Sequence, residues 1–308
     1  MAGHKQSWAP PRRVATHISR DDLIALLTVF CSLVLISIFV YVFIAWSTML
    51  SMTSSAMFPK YDFVGLKHYV ILWNMARWQV AVYNLLVFGV LYITITIILG
   101  LLIALSLDQR VRFEGLFRGI FLYPMAISFI VTGTAWKWIL DPRLGIEKAV
   151  RDWGWSDFEM DWIVRPETAI YTLVIAAVWQ SCGFSMAIFL AGLKGVPDEL
   201  VKAADIDGAS RWQAYRYVVL PTLTPYLFSV VTLLVFQAVR TFDLVVAMTG
   251  SGPGFSSDLP APFMYQFAFG RNRLALAAAS SVMILVAVAG VMVPYMIWQL
   301  RTENRDAR

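Results

Sequence analysis

Apolar residues in this chain fall in runs of roughly twenty, separated by shorter stretches that carry most of the charge. A helix rises about 1.5 Å per residue and a bilayer core is about 30 Å thick, so roughly twenty apolar residues cross it once. The runs extend approximately from Leu23 to Trp46, Val82 to Leu107, Ile120 to Leu140, Ala169 to Leu193, Leu223 to Val246 and Leu274 to Trp298. A backbone in hydrocarbon must satisfy its own hydrogen bonds, which leaves helices or a closed barrel. Barrel strands would show alternating segments of about ten residues, and these runs neither alternate nor stay that short. The pattern therefore predicts an all-α, polytopic membrane protein with six transmembrane helices.

Composition agrees. Of 308 residues, 59% are hydrophobic, and mean hydropathy is +0.66. The net charge of +5 changes the picture only through its placement. Lys5, Arg12, Arg13 and Arg20 precede the first run. Arg110, Arg112 and Arg118 fall in the second loop, Lys194, Lys202, Arg211 and Arg216 in the fourth, and Arg301, Arg305 and Arg308 in the tail. In a six-span chain these segments share one side. The opposite loops are longer and poorer in cations, so the excess of Lys and Arg predicts that both termini are cytoplasmic. The basic residues form no stripe interleaved with aromatics, so nucleic acid is not an expected partner. The first run is too long for a signal-peptide core and is read as an uncleaved span.

The chemistry of enzymes and metal sites is sparse. Cys31 and Cys182 both sit in apolar runs and read as small buried hydrophobes. His4, His17 and His68 do not cluster, so no metal site is expected. The spans contain no histidine for a buried hydrolytic pair. Trp153, Trp155 and Trp162 in the third loop suit a membrane interface. Residues 249–262, TGSGPGFSSDLPAP, read as a turn with little regular structure.

The most informative stretch runs from Gly192 to Pro225, GLKGVPDELVKAADIDGASRWQAYRYVVLPTLTP. Pro197 opens a helix, and Asp198 and Glu199 occupy its first turn, where the macrodipole favours anions. Gly208 breaks the helix, and Ser210 is placed to cap a second one. An ordered helix–turn–helix between two spans is suited to be a rigid docking element. Read blandly, it is a linker in which Gly208 is a simple cap.

This stretch resembles the cytoplasmic signature of permease subunits in binding-protein-dependent ATP-binding-cassette importers. The family pattern is Glu-Ala-Ala, a Gly about four residues on and Leu-Pro about a dozen residues later. Ala203, Ala204, Asp207, Gly208, Ala209, Leu220 and Pro221 match it. Lys202 stands where the family usually has its glutamate. GLKGVPDEL and IDGAS, and FDLVVAMTGSGPG further on, resemble the carbohydrate-importing, maltose-type branch.

The resemblance implies a type I importer permease architecture in a bacterial inner membrane. Residues 1–22 would be a cytoplasmic segment, 23–46 a first helix, 82–298 a five-helix core and 299–308 a cytoplasmic tail. The loop 194–221, with Glu199 and Lys202 beside the matched residues, would couple to the ATPase. The implied partners are a second, non-identical permease, an ATPase dimer holding ATP and Mg, an extracytoplasmic sugar-binding protein, a sugar and membrane lipids. No cofactor is implied in this chain, which also contains no phosphate loop of the G-x-x-x-x-G-K-[ST] kind. Catalysis is not implied either.

Polar residues in spans are costly and are candidates for the solute path. Trp179, Gln180, Ser181 and Phe184 lie in the fourth span, Gln237 and Thr241 in the fifth. Gln180 and Phe184, and likewise Gln237 and Thr241, are four apart and share a helix face. Sugar contacts of maltose-type permeases map near Ala177, Gln180, Ser181, Phe184, Ala238 and Thr241, and the two alanines have no hydrogen-bonding side chain. The alternative for each polar residue is packing between helices. At the level of function, the alternatives are an ion-gradient-driven transporter or an importer permease for a non-sugar solute.

Overall fold

The computed structural model describes residues 20–109 and 112–306. Lys5, Arg12, Arg13, His4, His17, Arg110 and Arg308 lie outside them, as does most of the expected segment 1–22. The chain separates into two units, residues 1–46 and 47–308.

The first unit is, in its described part, one helix. α1 (Arg20–Ser51) has exposed side chains at every position from Leu23 to Trp46. A helix that is apolar all round matches hydrocarbon on every side.

Among the described residues of the second unit every regular element is helical. α2 (Lys67–Trp73) precedes the long α3 (Ala76–Asp108). α4 (Glu114–Leu122), a 3-10 turn at Tyr123–Ala126 and α5 (Phe129–Ile139) follow. α6 (Ile146–Asp152) lies in the third loop, and α7 (Ala169–Lys194) is the most enclosed long helix. α8 (Asp198–Ile206), α9 (Arg211–Ala214), a π-helical turn at Tyr215–Val219 and α10 (Leu220–Thr222) build the fourth loop. α11 (Thr224–Val239), α12 (Asp243–Met248), α13 (Pro260–Tyr265) and α14 (Leu274–Asp306) complete the chain.

Four helices, α1, α3, α7 and α14, are long and apolar enough to cross a membrane singly. Two bent pairs bring the number up to six when each pair is counted as one span. The expected third span is α4 and α5 meeting at 99°, with Pro124 buried in the turn between them. Ser128 then caps α5 by accepting from the Val131 amide. The expected fifth span is preceded by a 59° bend between α10 and α11, where Pro221 and Pro225 flank the break. It also ends earlier than hydropathy indicates. α11 stops at Val239, and the chain restarts as α12 at Asp243. The second span begins at Ala76 rather than Val82.

Small residues let the helices approach. A side chain at Gly100 of α3 would meet the Ser185 Cβ at 2.7 Å and the Met186 backbone nitrogen at 3.0 Å, both on α7. One at Gly183 would run into the Phe121 carbonyl of α4. With no hydrophobic drive between helices in lipid, close backbone packing of this kind supplies dispersion contact.

The loop 249–259 has more order than its composition indicates. Ser251 and Phe255, with three of the loop's glycines, have positive φ. A buried carboxylate holds them. Asp258 accepts from Arg77 Nε at 2.7 Å and from the Ser251 hydroxyl at 2.8 Å. The side chain of Asp258 is 0% exposed and that of Arg77 only 9%. The Arg77 guanidinium lies 3.9 Å above the Phe255 ring, and Asn84 donates to the Ser256 and Asp258 carbonyls. Burial pushes the Asp258 carboxyl above the usual carboxylate range, while Arg77 and Ser251 pull the other way. Replacing Asp258 by Ala strands a buried guanidinium, a loss of about 3–5 kcal/mol. Thermal unfolding of the purified protein in detergent should show a clearly lowered midpoint for Asp258→Ala. An unchanged midpoint would count against the ion pair as the loop's anchor.

Candidate functional site

Two regions carry the residues singled out from sequence. The first is the fourth loop. α8 begins after Pro197 and ends at Asp207, whose amide bonds the Ala203 carbonyl at 3.0 Å. Gly208 follows with φ +80°. The Ala209 amide then reaches back to the Ala204 carbonyl at 3.0 Å, closing the helix end. Ser210 and Gln213 form a reciprocal capping box that starts α9.

Orientation separates the motif residues. Ala204 is buried, and Val201 packs on the core. Glu199, Lys202, Ala203, Asp207 and Gly208 point outward. Ala209 and Leu220 are half-buried, and Pro221 is exposed at the bend. Leu200 and Ile206 are exposed beside them, Ile206 by 86%. The loop thus holds itself with one face and offers a partly apolar face outward. At its base, Lys194 Nζ contacts Glu114 Oε1 at 2.5 Å, tying the end of α7 to the start of α4.

The second region is a cavity of about 480 Å³ between α7, α11 and the two helix breaks. Gln180, Ser181, Phe184, Gln237 and Thr241 all line it. The helix register brings them together, because 180 and 184 on α7 face 237 and 241 at the end of α11. Ser181 Oγ lies 2.8 Å from the Tyr92 hydroxyl and accepts from Gln237 Nε2 at 3.2 Å. Thr241 donates to the Gln237 carbonyl at 2.8 Å. Gln180 Nε2 donates to the Ile127 carbonyl at 2.7 Å, a group freed by the break between α4 and α5. Gln180 Oε1 is buried with no hydrogen-bond partner. Phe129, Phe236 and Phe242 add ring faces.

Trp179 is not brought into this cavity. It is one residue from Gln180 and so about 100° around the helix. It stacks edge-on with Trp136, ring centroids 6.0 Å apart, over a smaller apolar hollow. Of the two maltose-type positions occupied by alanine, Ala177 and Ala238, both are buried and neither lines the cavity. The structure adds Met125 and Phe129 from the broken third span and Arg240 and Asp243 from the break after α11. Hydropathy hides the first break, whose residues are mostly as apolar as the helices it interrupts, whereas the second carries Arg240, Thr241 and Asp243. Only Pro124 marks the first in the sequence.

A helical membrane protein with a cavity between broken spans that carries several polar side chains, and an ordered loop displaying a motif, is built as a transport component. Residues 96–305 match the family described as binding-protein-dependent transport system inner membrane component, and the chain belongs to that family. It is 38% identical over 277 residues to a probable ABC transporter permease protein of Pyrococcus horikoshii, covering 89% of this chain and 94% of that one. It is 32% identical over 245 residues to the xylose/arabinose import permease protein XacH of Haloferax volcanii, covering 79% and 77%. Among solved structures, a bacterial ABC transporter involved in the import of the acidic polysaccharide alginate superposes with a TM-score of 0.78. That match covers 92% of this chain and 96% of that one at 18% identity, a likeness of fold.

The cost at Gly208 is conformational, since a Cβ there meets nothing within 4 Å. Left-handed backbone costs an ordinary L-residue about 1–2 kcal/mol, and Asn less. Gly208→Ala should therefore speed hydrogen exchange at the Ala209 amide, with Gly208→Asn intermediate. Equal exchange in all three would remove the turn as a constraint.

Proposed function

We propose that this chain is one permease subunit of an ATP-driven sugar importer, forming half of the translocation pathway. The observation that carries the reading is the cavity. Hydroxyl and amide groups of Gln180, Ser181, Gln237 and Thr241 converge there with phenyl faces, the two kinds of surface a sugar requires. The name of the Haloferax relative, a xylose/arabinose permease, supports the solute class.

In this reading ATP and Mg bind a separate ATPase dimer, which docks from the cytoplasm. α8 sits in a cleft of one ATPase, an amphipathic helix in a groove. Its outward face, Glu199, Lys202, Ala203, Asp207 and Gly208, makes the contact, while Ala204, Ala209, Leu220 and Pro221 set its pose. Closure of the ATPases moves α8 as a rigid body. The Lys194–Glu114 pair conveys part of that motion to the broken span whose far side lines the cavity. An extracytoplasmic binding protein delivers the sugar, and a second, non-identical permease completes the pore. Both chain termini are cytoplasmic, and the membrane is the bacterial inner membrane.

Affinity purification in mild detergent with mass spectrometry tests the assembly. An ATPase and a second permease should accompany the chain, and a lone chain that survives crosslinking would overturn the reading. Thr241→Val keeps shape and removes one hydroxyl, worth about 0.5–1.5 kcal/mol if it bonds solute. Half-saturating sugar in vesicle uptake should then rise about two- to tenfold. Gly208→Trp should insert normally and abolish uptake while ATP hydrolysis continues. Normal uptake in that variant would sink the docking role.

A further inference from the structure

Outside the cavity and the docking loop, one surface has no explanation in the reading above. Between α1 and α3, residues 52–75 form an ordered cap. Thr53 and Phe63 make an isolated antiparallel bridge, the Ser54 amide bonds the Asp62 carbonyl at 2.9 Å, and the Val64 amide bonds the Met52 carbonyl at 2.8 Å. The inner side of α2 is held by Leu72, fully buried, with Tyr69 and Met75 packed on the same cluster. His68 Nε2 lies 2.9 Å from the Thr53 carbonyl.

The outer side of this cap is apolar. Leu66, Val70 and Trp73 recur at spacings of four and three, one stripe of a helix. Phe58, Tyr61 and Phe63 extend the same character into the bridge region. Phe63 is 76% exposed and Trp73 69%. Lys60 and Lys67 are exposed among them. An apolar surface of this extent on an ordered segment marks an interaction site.

Chain geometry says where the surface lies. The cap follows the end of α1 at Ser51 and precedes the start of α3 at Ala76. Its Ser55 and Ala56 carbonyls accept from the Ala275 and Leu274 amides, the first residues of α14. It is therefore fixed at the level where spans enter the membrane. Aromatic rings with lysines beside them suit that layer, the rings among acyl-chain ends and the ammonium groups on phosphates.

We propose that residues 56–73 are a membrane-interface anchor. Leu66, Val70 and Trp73 seat in the leaflet opposite the docking loop, and Lys60 and Lys67 hold anionic phospholipid headgroups. The anchor braces the entry points of α3 and α14, leaving the cytoplasmic ends of those helices free to move.

Spin labels on the assembled transporter test this. Val70→Cys and Trp73→Cys would be labelled with Cys31 and Cys182 replaced, in nanodiscs of phosphatidylcholine with phosphatidylglycerol. Leu86→Cys on α3 supplies the lipid reference and Asp157→Cys in the third loop the water reference, both sites being exposed. Collision with oxygen should exceed collision with a water-soluble nickel chelate severalfold at 70 and 73, as at 86. A nickel response equal to that at 157 would overturn the proposal. Low collision with both would also overturn it, and would assign the surface to a neighbouring protein instead. Omitting phosphatidylglycerol, or combining Lys60→Gln with Lys67→Gln, should lower the ratio at 70 without moving that at 86. An unchanged ratio would overturn the headgroup contact.

Discussion

In hydrocarbon a peptide group has no water to bond, and the rest of this architecture depends on where the chain departs from continuous helix. Within its apolar runs it does so at the turn between α4 and α5 and at the stretch between α11 and α12. Both departures border the same cavity. At the first, Gln180 of α7 donates to the freed Ile127 carbonyl. At the second, Thr241 turns its hydroxyl back onto the Gln237 carbonyl. The polar side chains on the cavity wall are thus partly the ones that make the breaks tolerable. Gln180 lines the cavity and also serves the backbone through its amide proton.

Charge follows the same logic at the membrane's edge. Asp258 and Arg77 are far apart in sequence and meet beneath the loop that follows α12. A buried pair is a poor source of net stability but a strong specifier of geometry, because either partner alone is costly. Here it fixes a loop of glycines and serines that has little packing of its own. The Lys194–Glu114 pair is different in kind. It is partly exposed, so its energetic weight is small. Its importance is connective, since it joins the base of the fourth loop to the first arm of the bent pair α4 and α5.

The fourth loop and the cavity lie at different levels of one set of helices. α7 runs from the cavity to the loop, with Gln180 and Ser181 midway and Lys194 at its end. Its close contacts with α3 at Gly100 and with α4 at Gly183 leave little room for sliding.

Much of this was legible in the chain itself. Hydropathy located the four long helices and the two bent pairs, because crossing a bilayer demands a long apolar stretch. The loop motif located α8, Gly208 and the cap at Ser210, because helix starts and stops are local chemistry. Helical spacing paired Gln180 with Phe184 and Gln237 with Thr241. What it could not reveal were features made by residues remote in sequence. Asp258 reads as one polar residue in a flexible loop until Arg77 is placed against it. Trp179 reads as a neighbour of Gln180 until the rotation of α7 sends it toward Trp136. The 99° bend is concealed by residues as apolar as any helix, and only packing on α7 decides it. Local propensity and membrane thickness are properties of short windows. Cavities, buried ion pairs and the pose of a helix are set by which surfaces meet, and only the tertiary structure decided those.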